Sequence, residues 1–198
     1  MTTTTRPSTP LTGNGGDPAR RRPRSLRSLA EAVERASSLD AAGSTAAGVA
    51  RKVFPEGSAA RDVLGGAWLG HAVHPLLTDV VIGSWLSASI VDLAGGRRRD
   101  AADILVAAGI VSYLPTAVAG ASDWSMAEEG NERVRRLGLA HSLINHTALG
   151  LQVWSLAARR RGRRGRGVAV SLLANGVTGV GGFLGGHLAY VRGVGVEG

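Results

Sequence analysis

The sequence predicts an all-α membrane protein: a four-transmembrane-helix bundle with a disordered N-terminal tail and short amphipathic lead-in helices. Two observations support this fold class. Four apolar stretches lie in the last two-thirds of the chain, each about 18 to 23 residues long, which is enough for a helix to cross a bilayer. All five histidines would also lie at one end of these stretches if the chain runs alternately up and down.

The four stretches cover residues 76–94, 104–121, 137–158 and 168–190. The first is the least apolar, because it contains Asp79 and Asp92. An ionised carboxylate that faces lipid costs several kcal/mol, so we expect Asp79 to face the bundle interior with a partner. Asp92 lies near the far end of the stretch, where it can reach the lipid headgroups. Trp68, Trp124 and Trp154 are expected at the membrane interfaces and Trp85 in mid-span packing.

Three segments are expected along the chain. Residues 1–24 are rich in Thr, Pro, Gly and Arg, which predicts a disordered basic tail. Residues 25–60 form the amphipathic lead-in, with one helix near residues 25–40 and a second near 44–54, stopped by Pro55. These helices would lie on the membrane surface, on the bundle or on a partner. Residues 61–198 form the four-helix membrane domain.

The basic composition fits a membrane protein better than a nucleic-acid-binding one. The formal net charge is +8, and arginine supplies 22 of the 23 basic residues. Much of this arginine lies in loops between apolar stretches, so we do not expect nucleic acid as a partner. The first loop contains Arg97–Arg99 and the third contains a run from Arg159 to Arg166, which places both loops in the cytoplasm and the histidine end outside. The arginine-rich tail opposes this orientation.

The chain contains no cysteine, which excludes disulfides, thiolate catalysis and an iron–sulfur cluster held by this chain. No secretory signal peptide is recognised, because no apolar core follows the arginines of the tail. No catalytic motif is present either, so we do not expect an enzyme.

The histidines are the best candidates for chemistry, because neutral imidazole is a common ligand for metal ions and for haem. Proline favours the first turn of a helix, so His74 is expected to cap the first span at Pro75. His141 and His146 are five residues apart, about 140° around a helix, so the third span offers one ligand to any single centre. The full candidate set is His71, His74, His141, His146 and His187.

Two kinds of centre remain open for this set. A b-type haem needs two imidazoles from different spans, and a divalent metal ion needs three or four ligands. Asp79 and Asp123 could fix an imidazole tautomer, and Asn145 shares a helix face with His141. The alternative is structural: the histidines hydrogen bond to each other, to these side chains and to backbone carbonyls, and hold the bundle end together.

Small residues repeat every fourth position in the last stretch. Such stripes let helix backbones approach closely, although a flat glycine face could also accept a planar cofactor. The stripe consists of Ala174, Thr178, Gly182 and Gly186, with Gly181 and Gly185 beside it.

Several segments resemble the bacterial membrane-protein domain-of-unknown-function family 2231. The resemblance covers about residues 61–196 and rests on three groups of residues. The opening is Gly70-His71-Ala-Val-His74-Pro75-Leu76-Leu77-Thr78-Asp79 followed by Ile82-Gly83-Ser84-Trp85, later landmarks are Asp123-Trp124 and His141, and the close is Leu184-Gly185-Gly186-His187-Leu188-Ala189-Tyr190 with Gly193-Val194-Gly195-Val196.

The resemblance implies four spans and a multi-pass location in the bacterial inner (plasma) membrane, but no established reaction. Members are often joined to Rieske-type iron–sulfur domains, which this cysteine-free chain lacks. We therefore expect membrane redox chemistry, in which the histidine end binds a b-type haem or a metal ion, or the protein anchors a Rieske-type or other electron-transfer protein. The alternatives are a small proton- or ion-handling transporter that uses Asp79, and a purely structural membrane scaffold. A soluble bundle is a weaker alternative.

Overall fold

The computed structural model describes residues 24–95 and 99–195, and the elements in those ranges are helical. Short helices come first, at Arg24–Arg35 (α1), Asp40–Val53 (α2) and Ala59–Gly65 (α3), with a 3₁₀ turn at Ser37–Leu39. Long helices follow, at Val73–Ala94 (α4), Arg99–Ala127 (α5), Glu132–Arg160 (α6) and Arg164–Arg192 (α7). The predicted all-α class is confirmed. The predicted disordered tail lies outside the described residues except for its last residue, as do Arg97 and Arg98.

The helix bounds differ from the predicted ones at several ends. α4 begins at Val73, so His74 lies inside its first turn and does not cap it. Pro75 is the third residue of the helix, where a missing backbone N–H leaves no hydrogen bond unmade. α3 was not predicted, because its sequence continues into a glycine-rich segment. Ser58 caps its start and Gly66, with φ of 81°, ends it in the left-handed conformation.

Three of the long helices, α4, α5 and α7, are long and apolar enough to cross a bilayer. α6 is equally long, but charged residues occupy its first and last turns and polar residues such as Gln152 interrupt its centre. The structure therefore supports three candidate spans, and the expected fourth one is not confirmed by composition.

The long helices contact each other in a ring. α4 packs along α5 and α6 packs along α7, while α5 also contacts α6 and α4 contacts α7. Val81, Trp85, Tyr113 and Ala148 fill the space between the two pairs. Trp85 is 2% exposed and stacks on Tyr113, with 6.2 Å between ring centroids, as expected for a packing residue.

The α4–α5 and α6–α7 hairpins share one pattern of histidine contacts. His74 in α4 and His141 in α6 each place ring atom Nδ1 2.9 Å from a backbone carbonyl oxygen of the following helix, at Thr116 and Gly181 respectively. Each ring also lies on a glycine four residues after that carbonyl. This shared pattern was not predicted, since few residues are identical at matching positions of the two hairpins.

Opposite charges join the helices at the end away from these histidines. Arg159 donates two hydrogen bonds to the carboxylate of Asp92, at 3.0 and 2.5 Å, and a third to Asp103 at 3.1 Å. Arg164 contacts the same two carboxylates, at 2.8 and 3.1 Å. The side chain of Asp92 is only 1% exposed, so the expectation that it reaches the headgroups is wrong. We call these four side chains the charged cluster.

Tryptophan side chains lie directly on glycines at two helix crossings. The Nε1 of Trp85 donates to the carbonyl of Val106 and that of Trp124 to the carbonyl of Val134, both at 3.3 Å. The glycines are Gly109 under Trp85 and Gly138 under Trp124, and neither indole would leave room for a Cβ atom there. Trp124 therefore packs between helices and is not the exposed interface anchor that the sequence suggested.

Candidate functional site at the histidine end

His74 and His141 lie in separate hairpins and each has its own partner. The His74 ring covers Gly120 and the His141 ring covers Gly185, where added Cβ atoms would lie 2.7 and 2.8 Å from ring carbons. Their Nδ1 atoms face the backbone carbonyls described above. The two rings are close enough to interact electrostatically. The site thus consists of two imidazoles held in matching ways on matching helices.

The other three histidines do not join this pair. His71 is exposed in the segment before α4. His146 is exposed, with its Nδ1 atom 2.7 Å from the carbonyl of Ser142 and its ring edge against Tyr113. His187 places its Nε2 atom 3.0 Å from the carboxylate of Glu34 in α1. His146 is the middle residue of α6, so the five rings are not all at one end of the bundle, and they do not share one pocket.

The described residues contain no group of three or more histidine, aspartate or glutamate side chains placed to hold a metal ion. The expectation of a bare divalent ion is therefore not supported by the geometry within these ranges. A haem needs only two axial imidazoles, and His74 and His141 are the pair that could supply them.

The polar residues expected near the histidines have different surroundings. Asp79 is exposed on the outside of α4, so the expectation that it faces the interior is wrong. Asp123 is 6% exposed, makes no hydrogen bond to a described residue, and lies near enough to His74 to interact electrostatically. Asn145 donates to the carbonyl of His141 at 2.9 Å, and its Nδ2 atom is also 3.2 Å from the Nε2 atom of that ring.

The glycine stripe of α7 packs through other positions than those expected. Gly181 and Gly185 are covered by Asn145 and His141. Gly182 is exposed and lines a cavity of about 130 Å³ between α4 and α7, and a Cβ there would meet nothing within 4 Å. Of the other predicted members, Ala174 is fully buried, Thr178 lines the same cavity and Gly186 has only Tyr190 within reach.

A second set of charges fixes the short helices to the histidine end. Glu34, 8% exposed in α1, accepts hydrogen bonds from the Nε and Nη2 atoms of Arg192 at 3.0 and 2.5 Å, besides its contact with His187. Burial alone would raise the pKa of Glu34. The hydrogen bonds and charges of Arg192 and His187 outweigh burial and lower this pKa below its ordinary value.

Arginines of α6 hold the same layer from its other side. Arg136 donates to both carboxylate oxygens of Asp40 at 2.6 and 2.7 Å, and to the carbonyl of Glu34 at 2.8 Å. Arg135 and Arg51 both pair with Glu128, whose side chain is fully buried. Hydrogen bonds from Arg136 lower the pKa of Asp40 more than burial raises it. We call α1, α2 and these ion pairs the docked layer.

Sequence reasoning missed these ion pairs. Helical periodicity places Glu34 on a polar face of α1, but it does not show that a partner over a hundred residues away covers that face. A useful signal was present in Arg135 and Arg136, since two adjacent arginines at the start of a span are costly without nearby carboxylates.

Long apolar helices, charges confined to their ends and aromatic packing between them define a helical membrane protein. A family model described as "Predicted membrane protein (DUF2231)" matches residues 70–198, and the chain belongs to this family. No curated protein and no solved structure matches the chain. The resemblance recognised in the sequence is thus confirmed.

Proposed function

We propose that this protein is a membrane-embedded scaffold that crosses the bilayer four times and holds its N-terminal helices as a rigid layer on one face, where they anchor a partner. The docked layer is the observation that supports this proposal. Its ion pairs connect α1 and α2 to α6, to α7 and to the turn between α5 and α6, and the carboxylates of Glu34 and Glu128 in them are buried. A helix that only lay on the membrane surface would not bury a carboxylate such as that of Glu34 in an ion pair with the long helices.

α6 is the fourth span in this proposal. Seventeen consecutive residues without Asp, Glu, Lys or Arg separate His141 from Arg159. These two residues are about 27 Å apart along a helix, close to the thickness of the hydrocarbon core. The polar side chains in between find partners inside the protein: Gln152 donates to Asn175 at 3.0 Å and accepts from Ser171 at 3.0 Å.

The orientation follows from the charges at the two ends. The segment between α6 and α7 is dense in arginine, which favours the cytoplasm, and the same holds for the loop between α4 and α5. The docked layer then lies outside the bacterial inner membrane. An exported Rieske-type or other electron-transfer protein is a partner compatible with that side.

Labelling of single cysteines tests both the span count and the orientation. The chain has no native cysteine, so Glu129→Cys before α6 and Arg161→Cys after it each introduce one exposed thiol. We expect a membrane-impermeant maleimide to label Glu129→Cys in intact cells and Arg161→Cys only after lysis. Equal accessibility of both thiols in intact cells would contradict a spanning α6. Labelling of Arg161→Cys but not Glu129→Cys in intact cells would indicate the opposite orientation.

In the scaffold proposal, His74 and His141 connect helices and do no chemistry. Each imidazole joins two helices through one hydrogen bond and one glycine contact. We expect His74→Gln and His141→Gln each to lower the free energy of unfolding in detergent by about 1 kcal/mol, the usual value for one hydrogen bond between membrane helices. Thermal unfolding followed by tryptophan fluorescence measures this loss, and His71→Gln, at an exposed position, is the matched control.

Haem binding is a second candidate function, and one observation favours it. Ligating histidines usually donate their second ring N–H to a carbonyl, and the Nδ1 atoms of His74 and His141 both face carbonyls at 2.9 Å. For the Nε2 atom of His141 to bind haem iron, the side-chain amide of Asn145 would have to move away from that atom. A Soret band in protein purified after haem-sufficient expression, lost in both glutamine variants but kept in His71→Gln, would favour this candidate. A colourless protein would support the scaffold.

A further inference from the structure

A cavity lies beside α3, at the end of α5. Its volume is about 390 Å³, and it opens to the outside. α3 packs against both α4 and α5, so the cavity sits where the short helices meet the long ones. It is lined by Glu56, Gly57, Arg61, Asp62, Gly65, Ala67 and Met126.

The charged groups of this cavity have no partners among the described residues. The Nε atom of Arg61 is buried and donates no hydrogen bond, although arginine N–H groups are normally satisfied when buried. The carboxylates of Glu56 and Asp62 line the same cavity and form no ion pair with it or with any other described cation. One unpaired guanidinium thus faces a space that is bounded by two unpaired carboxylates.

Exposed apolar side chains lie beside the cavity, near the end of the apolar helices. Trp68 is 66% exposed, and its indole donates to the carbonyl of Val63 at 3.0 Å, which fixes the ring beside α3. Val63 and Met126 are 57% and 43% exposed. Tryptophan with exposed aliphatic neighbours at the end of apolar helices is typical of the headgroup region of a bilayer.

We propose that this cavity binds the headgroup of a zwitterionic phospholipid with a primary ammonium, phosphatidylethanolamine. The guanidinium of Arg61 takes the phosphate, because arginine presents several donors to phosphate oxygens. The ammonium donates hydrogen bonds to Glu56 and Asp62, and the acyl chains leave along Trp68 and Met126. A choline headgroup has no N–H donor for the carboxylates, and an anionic headgroup without an amine would be repelled by them.

Lipid retention in native mass spectrometry tests the site on the full chain in detergent. We expect phosphatidylethanolamine to be retained at least tenfold more than phosphatidylcholine or phosphatidylglycerol at equal concentration, as one charge-assisted hydrogen bond allows. Arg61→Gln should abolish this preference, whereas Arg133→Gln, at an exposed arginine in the first turn of α6, should leave it unchanged.

Glu56→Gln is a second variant, at an exposed position where folding is not at risk. It should reduce the preference for ethanolamine over choline while phosphate binding persists. Equal retention of the three lipids by the wild type, preference for phosphatidylglycerol, or full retention in Arg61→Gln would each overturn the proposal. So would equal binding of water-soluble glycerophosphoethanolamine, because it would show a site for a free phosphate ester and not for a lipid.

Discussion

Replacing Asp92 with asparagine is expected to lower the free energy of unfolding by about 3 to 5 kcal/mol, the usual effect of removing one partner from a buried ion pair. Asparagine keeps the size of the side chain but not the charge that Arg159 and Arg164 share. Arg159, whose side chain is fully buried, would keep Asp103 as its carboxylate partner, and Arg164 also contacts Asp103. Unfolding of the detergent-solubilised protein in increasing SDS, followed by tryptophan fluorescence, measures the loss.

Asp100→Asn is the matched control, because this aspartate lies exposed in the first turn of α5 and should change stability by less than about 1 kcal/mol. The double variant Asp92→Asn with Arg159→Gln should lose less than the sum of the two single losses, since both changes remove the same interaction. Strict additivity, or a wild-type unfolding curve for Asp92→Asn, would show that the charged cluster does not hold the helices together.

Replacing Glu34 with glutamine is expected to release α1 from the histidine end. Glu34 connects α1 to Arg192 and His187 of α7, and glutamine cannot balance the charge of the Arg192 guanidinium. We expect the docking of α1 to weaken by about 3 kcal/mol. Limited trypsin digestion in detergent measures this weaker docking of α1, and we expect faster cleavage after Arg35 in the variant. Glu31→Gln, on an exposed face of the same helix, should digest at the wild-type rate.

The same ion pair gives the docked layer a pH dependence. Because the native pKa of Glu34 lies below its ordinary value of 4.5, its contribution is complete at neutral pH and is lost as pH falls below 4.5 through the native pKa. Trypsin is inactive there, so pepsin digestion or hydrogen exchange of α1 follows the loss. The pKa of Asp40 is also lowered, so its ion pair is lost over the same direction of pH change. The contribution of Glu34 is therefore the difference in pH dependence between the wild type and Glu34→Gln. Protection of α1 that does not change between pH 7 and pH 3 would contradict this mechanism.

The fold could be predicted from the sequence to the extent that it depends on local periodicity. The apolar stretches marked the four long helices, because a run of about 20 apolar residues has few alternatives to a helix. Helix ends were less accurate, since Val73 and Glu132 extend helices beyond the apolar part. The status of α6 shows the limit: its polar side chains pair with Asn175 and Ser171, and hydropathy does not record such pairing.

The candidate site was predicted only in part. An up-and-down path brings His74, His141 and His187 toward one end but leaves His146 in the middle of α6, and rotation of each helix about its axis decides which rings meet. That rotation depends on contacts distant in sequence, such as His141 on Gly185 and His187 on Glu34. The exposure of Asp79 and the burial of Asp92 also depend on the rotation of α4 about its axis, because that rotation decides which residues face the other helices.

Matching positions of the two hairpins carry opposite charges, Asp92 in the first and Arg159 in the second. Two copies of the first hairpin would bring two carboxylates together, and two copies of the second would bring two guanidinium groups together. Only the pair of Asp92 with Arg159 is neutral at this point, so two identical hairpins would repel each other here. The charged cluster thus favours the association of one hairpin of each kind over that of two identical hairpins.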